Sequence, residues 1–135
     1  MNINIEEYNS VAAFLSGLYK FEEDGLFFQA MLGVTDKALL VYNDHAPDSK
    51  TADVLVYKVK ERIPFEKINS IFNEQIINNK DLSGLGRINI FFSKEEGGKY
   101  FYYFLEDKKA LKFFLDVLKN SGFRVKKGKV DLAKD

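Results

Sequence analysis

The segment Lys99–Lys119, KYFYYFLEDKKALKFFLDVLK, changes its period halfway along. Lys99–Glu106 is aromatic and strand-like, and Tyr100–Leu105 is the longest uninterrupted apolar run of the chain. From Asp107 onward, Ala110, Leu111, Phe114, Val117 and Leu118 recur at spacings of three and four, with Lys108, Lys109, Lys112, Asp116 and Lys119 on the other side. Asp107 is the expected N-cap. Gly122 suits the left-handed closing residue of a Schellman end, from which Phe123 can fold back on Leu118. The spacing therefore predicts a helix over residues 107–121, with Leu111, Phe114 and Leu118 buried.

Upstream of this switch, Leu26–Leu32, Ala38–Tyr42, Val54–Ile63, Ile68–Ile77 and Arg87–Ser93 are short segments rich in Val, Ile, Phe and Tyr. Thr35–Lys37 and Glu95–Gly98 have hairpin length, whereas Asn43–Asp53 and Asn78–Gly86 are longer and polar. No helical pattern lies between the strands, which favours an antiparallel meander over crossover connections. Pro64 should mark a corner. At the start, Asn4 and Glu7 have the spacing of a capping box, and Tyr8, Val11, Ala12, Leu15, Leu18 and Tyr19 suggest a helix over residues 4–19. Glu22–Gly25 then break it. Arg124–Asp135 is basic and weakly patterned, and reads either as a frayed tail or as a short added strand. The order helix, about six strands, helix predicts a mainly β protein (α+β by content), a barrel or half-barrel plugged by its C-terminal helix.

The 135 residues suit one domain, divided here into an N-terminal helical extension (1–25), a central unit (26–123) and a basic tail (124–135). Hydrophobic residues at 46% and charged residues at 30% exclude a wholly disordered chain. Twenty acids balance twenty bases, so overall charge gives no case for nucleic acid. The balance is uneven along the chain: residues 1–25 carry a net −4 and residues 108–135 a net +6. Without cysteine, disulfides and thiolate chemistry are excluded, and with His45 as the one histidine most zinc and His-dependent mechanisms are disfavoured. The first charges are acidic, there is no lipidation motif, and no apolar run approaches a membrane span, so cytoplasmic residence is the economical expectation.

Two stretches resemble a known family. Gly33–Tyr42, GVTDKALLVY, is similar to the first hairpin of bacterial pleckstrin-homology-like (PH-like) domains, and Ile63–Ile71, IPFEKINSI, to the segment that turns their chain into the next strand. With the later strands and the amphipathic helix, the resemblance spans roughly residues 26–121. It implies a bacterial source and a PH-like fold, a partly open seven-stranded antiparallel barrel capped by the C-terminal helix. It also implies a scaffold for binding lipids, peptides or protein partners. The phosphoinositide binders of that family surround the first hairpin with bases. This turn offers only Lys37, beside Asp36, so inositol phosphates are not expected to bind tightly. The N-terminal helix would be an addition to the plan.

The candidate chemistry is sparse. His45 among Asp44, Asp48 and Asp53 lacks the alternating ligands and central glycine of a calcium loop, and reads as a solvated connection. Ser83–Arg87 contains GxG but enters a strand and lacks the phosphate-loop Lys-Ser/Thr, so its glycines read as turn residues. No nucleophile–base order or metalloprotease motif appears, no cofactor or metal is implied, and an enzyme is not expected. Phe91, Phe92 and Tyr100–Phe104 gather aromatics in one hairpin, where cross-strand packing is favoured over base stacking. Lys108, Lys112, Lys119, Arg124, Lys126, Lys127 and Lys129 are candidates for contact with an anionic surface such as a membrane. Tyr8, Leu15, Tyr100 and Tyr102 are candidates for an interface with a protein partner or a second copy. The expected function is a non-enzymatic intracellular binding or assembly module. The alternatives are a carrier of a small apolar ligand between sheet and helix, and peripheral membrane binding through the basic end.

Overall fold

Alternation of buried and exposed side chains turns most of the chain into strand. A computed structural model describes residues 2–20, 26–45, 54–92 and 98–133. Its strands are β1 (Asn2–Ile5), β2 (Ala13–Lys20), β3 (Phe27–Val34), β4 (Ala38–His45), β5 (Val54–Pro64), β6 (Ile68–Ile77), β7 (Leu85–Phe92), β8 (Gly98–Phe104) and β9 (Lys126–Asp131). One helix, α1 (Lys108–Asn120), precedes β9, and single 3-10 turns lie at Tyr8–Ser10 and Phe65–Lys67. All nine strands form one sheet in the order β1-β5-β4-β3-β2-β8-β7-β6-β9. Pairing is antiparallel except for β1 on β5 and β9 on β6, which run parallel. Pro64 ends β5, and the Phe65–Lys67 turn makes the corner into β6. Residues 21–25, 46–53 and 93–97 lie outside the described residues.

The expected barrel does not form. β1 occupies the outer edge of β5 and β9 that of β6, the two edges that would have to meet for closure, so the sheet stays open. It is nevertheless strongly curved. Lys99 of β8 donates to Glu61 of β5 at 2.7 Å, although three strands separate them in the sheet. The helix accordingly packs across β2 and β3 on the inner face rather than plugging a barrel end. Phe114 and Leu118 are fully buried there in one core with Leu15, Leu32, Val41, Ile71, Ile88 and Phe101.

The N-terminal helix is also corrected. Residues 4–19 form the end of β1, a 3-10 turn and nearly all of β2. Residues i and i+4 share a face in a strand as well as in a helix, so Leu15 and Tyr19 fit either period. The deciding residues lie between them. Ala13, Leu15, Gly17 and Tyr19 are buried, while Phe14, Ser16, Leu18 and Lys20 face the other side. Gly17 is required by the neighbouring strand: a Cβ there would sit 1.8 Å from the Tyr102 carbonyl oxygen.

The N-terminal segment does cover apolar surface, as its sequence demanded, on the outer face of the sheet. Ile5, Val11, Phe14, Met31, Tyr57 and Val59 surround buried Ala38, Leu40 and Tyr42 in a second core. The Tyr42 hydroxyl donates to the Glu6 carbonyl at 2.7 Å, the Val59 amide donates to the Glu6 carboxylate, and Glu7 pairs with Arg62. At the other end α1 closes as its sequence predicted. Gly122 takes φ +98°, its amide donates to the Lys119 carbonyl, and the Phe123 amide donates to that of Leu118. Asp107 stands at the N-cap without making a side-chain capping bond.

Two outcomes test this packing. Phe114→Ala should cost about 3–5 kcal/mol in denaturant unfolding, as for a large ring removed from a filled core. A loss below about 0.5 kcal/mol, typical of surface sites, would displace the helix from the core. Tyr42 supplies a pH test. Burial, then the charges of Glu7 and Glu6, push its pKa from 10 up to about 12. The folded state thus keeps a proton that the unfolded chain loses first, so this contribution is complete below pH 10 and is lost as pH rises toward 12. Thermal melts across that window should fall more steeply for wild type than for Tyr42→Phe, which has no proton to lose.

Candidate functional site

The parallel pairing of β9 with β6 decides where the basic end of the chain goes. The register sets Asn73 opposite Lys127 and Gln75 opposite Lys129. All four line one stretch of the inner face, because residues two apart on a strand share a side. The far end of β9 is tied down by Asn78 donating to Asp131 at 2.8 Å and Asn79 donating to the Leu132 carbonyl at 2.9 Å. Of the two readings open for residues 124–135, the added strand is therefore the one that forms.

Along this strip runs an open groove in two parts, the first of them also bounded by the C-terminal half of α1. One part, of about 590 Å³, is lined by Asn73, Leu115, Asp116, Lys119, Gly122, Phe123, Arg124, Val125 and Lys127. The other, of about 490 Å³, is lined by Asn73, Gln75, Ile76, Ser83, Leu85, Tyr103, Leu105, Lys127, Gly128 and Lys129. Asn73 and Lys127 belong to both, so the two parts adjoin. Each volume is within the usual range for ligand sites. Four bases stand against the single acid Asp116. Apolar side chains are interspersed with the bases, Leu115, Phe123 and Val125 in the first part and Ile76, Leu85 and Leu105 in the second.

The floor is polar and oriented. Tyr103 donates its hydroxyl to Asn73 Oδ1 at 2.5 Å. Burial pushes the Tyr103 pKa up, so this hydroxyl stays protonated at neutral pH. With one Oδ1 lone pair engaged, Asn73 keeps both of its side-chain N–H donors to offer to the groove. Donors and cations together make the groove complementary to anions.

The other basic candidates part company. Lys112 and Lys108 are exposed about one and two turns above Asp116, on the helical stripe that continues the groove toward the helix start. Lys126 points to the opposite face of the sheet, 5.5 Å above the Phe72 ring. The seven bases therefore do not form one plane.

The interface candidates are likewise divided. Leu15 is wholly within the core and Tyr102 is buried, whereas Tyr8 and Tyr100 are exposed at 60% and 38%. Tyr8 stacks on Phe14, and Tyr102 meets Phe27 edge-on at 5.3 Å. Tyr100 lies 4.2 Å from the Arg87 guanidinium carbon. Arg87 itself is buried. Burial opposes its charge, but hydrogen bonds with Glu74 (at 2.7 Å) and Tyr102 outweigh that and hold its pKa above the ordinary value. In the β7–β8 hairpin the aromatics alternate as expected, Phe101 and Tyr103 inward, Tyr100 and Tyr102 outward.

His45 ends β4, while Asp48 and Asp53 lie outside the described residues. Among the described residues no three His, Asp or Glu gather as a metal-binding group, and no helix is long and apolar enough to cross a membrane. The groove residues that sequence reasoning missed are Asn73, Gln75, Tyr103, Leu115, Asp116, Phe123 and Val125. The i, i+2 spacing of Lys127 and Lys129 was the one available signal, and it says nothing about which strand lies alongside.

No family model matches the chain, and no curated protein matches it. Replacing Tyr103 by Phe should lower stability by about 1 kcal/mol in urea unfolding, the usual worth of one such bond, and should shift the Asn73 side-chain amide signals in NMR spectra. An unchanged Asn73 amide would remove Tyr103 as the group that orients it.

Proposed function

We propose that the protein is a non-enzymatic binding module that takes an acidic segment of a protein partner in the groove along the β6–β9 strip. The observation that carries this reading is the grouping of Lys119, Arg124, Lys127 and Lys129 around Asn73, with apolar side chains in both parts of the groove. An extended acidic peptide that also carries apolar residues matches that mixed lining, while a flat anionic membrane would call on bases that this sheet divides between two faces. Phe114 and Leu118 are fully buried between sheet and helix, which favours this reading over a carrier.

The test is fluorescence anisotropy with a labelled oligoglutamate peptide flanked by leucines, alongside sedimentation with phosphatidylserine vesicles. The peptide should bind in a salt-sensitive way, and Lys127→Gln/Lys129→Gln should weaken it by about tenfold, roughly 1.4 kcal/mol. Equal binding by variant and wild type would overturn the assignment to the groove. Vesicle binding without peptide binding would replace it with the membrane reading.

A further inference from the structure

We infer that the acidic segment received by the groove belongs to a second copy of this chain, the connection between β2 and β3, so that the protein associates head to tail. This rests on the reading of the groove as an acid-binding surface and adds the identity of its occupant. Glu22-Glu23-Asp24 is the only run of three consecutive acids in the sequence, and Phe21 precedes it while Leu26-Phe27-Phe28 follows after Gly25. The groove has the matching composition, with the bases Lys119, Arg124, Lys127 and Lys129 interspersed among apolar side chains. The flank is partly exposed: Leu26 at 63%, and Phe27 and Phe28, on opposite faces of β3, at 49% and 39%.

The two surfaces differ, so the contact is heterologous: each copy offers one acidic tip and one groove, and assembly continues into a ring or a chain. The opposite charges carried by residues 1–25 and 108–135, net −4 and net +6, favour this orientation over tip-to-tip or groove-to-groove encounters.

The experiment measures mass by light scattering across the micromolar range, at low and high salt, for three full-length chains whose folding is verified by circular dichroism. Wild type should gain mass with concentration and lose it with salt. The tip variant Glu22→Gln/Glu23→Gln/Asp24→Asn and the groove variant Lys127→Gln/Lys129→Gln should each be monomeric. An equimolar mixture of the two should form a two-chain species and stop there, since only one intact tip and one intact groove remain. A wild-type monomer throughout would overturn the inference, as would association that survives in both variants or a mixture that stays monomeric. If wild type is monomeric yet still binds the oligoglutamate peptide, the occupant is wrong and the groove reading stands. If it binds neither, both fall.

Discussion

The short pairing of β2 with β8 holds the two halves of the sheet together. It consists of Gly17, Leu18 and Tyr19 set against Tyr103, Tyr102 and Phe101. On one side lie β3, β4 and β5, on the other β7 and β6, each a meander that its local pattern can form. Only this seam makes them one sheet. Gly17 is the constraint within it, because the Tyr102 backbone passes where a side chain would begin. The helix lies across β2 and thus buries the seam from the inner face, so the central core and the junction protect each other from water.

Curvature follows from the same seam. By bending around β2, the sheet brings β5 back toward β8, and Glu61 accepts hydrogen bonds from both Tyr19 and Lys99 across the inner face. A carboxylate in that half-buried position is satisfied by two donors, which offsets the cost of removing it from water. On the outer face the corresponding arrangement is the Arg87–Glu74 pair, enclosed by Tyr100 and Tyr102. The two faces thus solve the same problem, a charge among aromatics, with a partner in each case.

The terminal strands then give the molecule its particular character. β1 leads into the segment that seals Tyr42 under the N-terminal turn, and β9 brings a lysine-rich strand beside Asn73 and Gln75. Both also occupy the edges through which the sheet would otherwise close. Lysines on β9 suit an edge strand, since charge there discourages indiscriminate pairing of its backbone, while the charge of Lys127 and Lys129 faces the groove. Openness and the groove therefore have one origin.

The chain by itself determined the meander and its helix. The segments at Val54–Ile63, Ile68–Ile77 and Lys99–Glu106 became strands close to the places where β-branched and aromatic residues cluster. The three-four stripe after Asp107 became α1, and Gly122 closed it with the Schellman bonds that its position implied. These are local matters, decided by periodicity and turn chemistry within a dozen residues. The beginning of the chain was misread for the same reason: Leu15 and Tyr19 satisfy both periods, and the choice between them came from β3 and β8 on either side of β2. The basic residues were legible as a cluster in sequence. Their division, with Lys127 and Lys129 on the groove and Lys126 over Phe72 behind it, was not, because a strand sends neighbouring side chains to opposite faces. Nor was their pairing with Asn73 and Gln75, more than fifty residues earlier, since the register of a parallel edge strand is set by long-range contacts that carry no local mark.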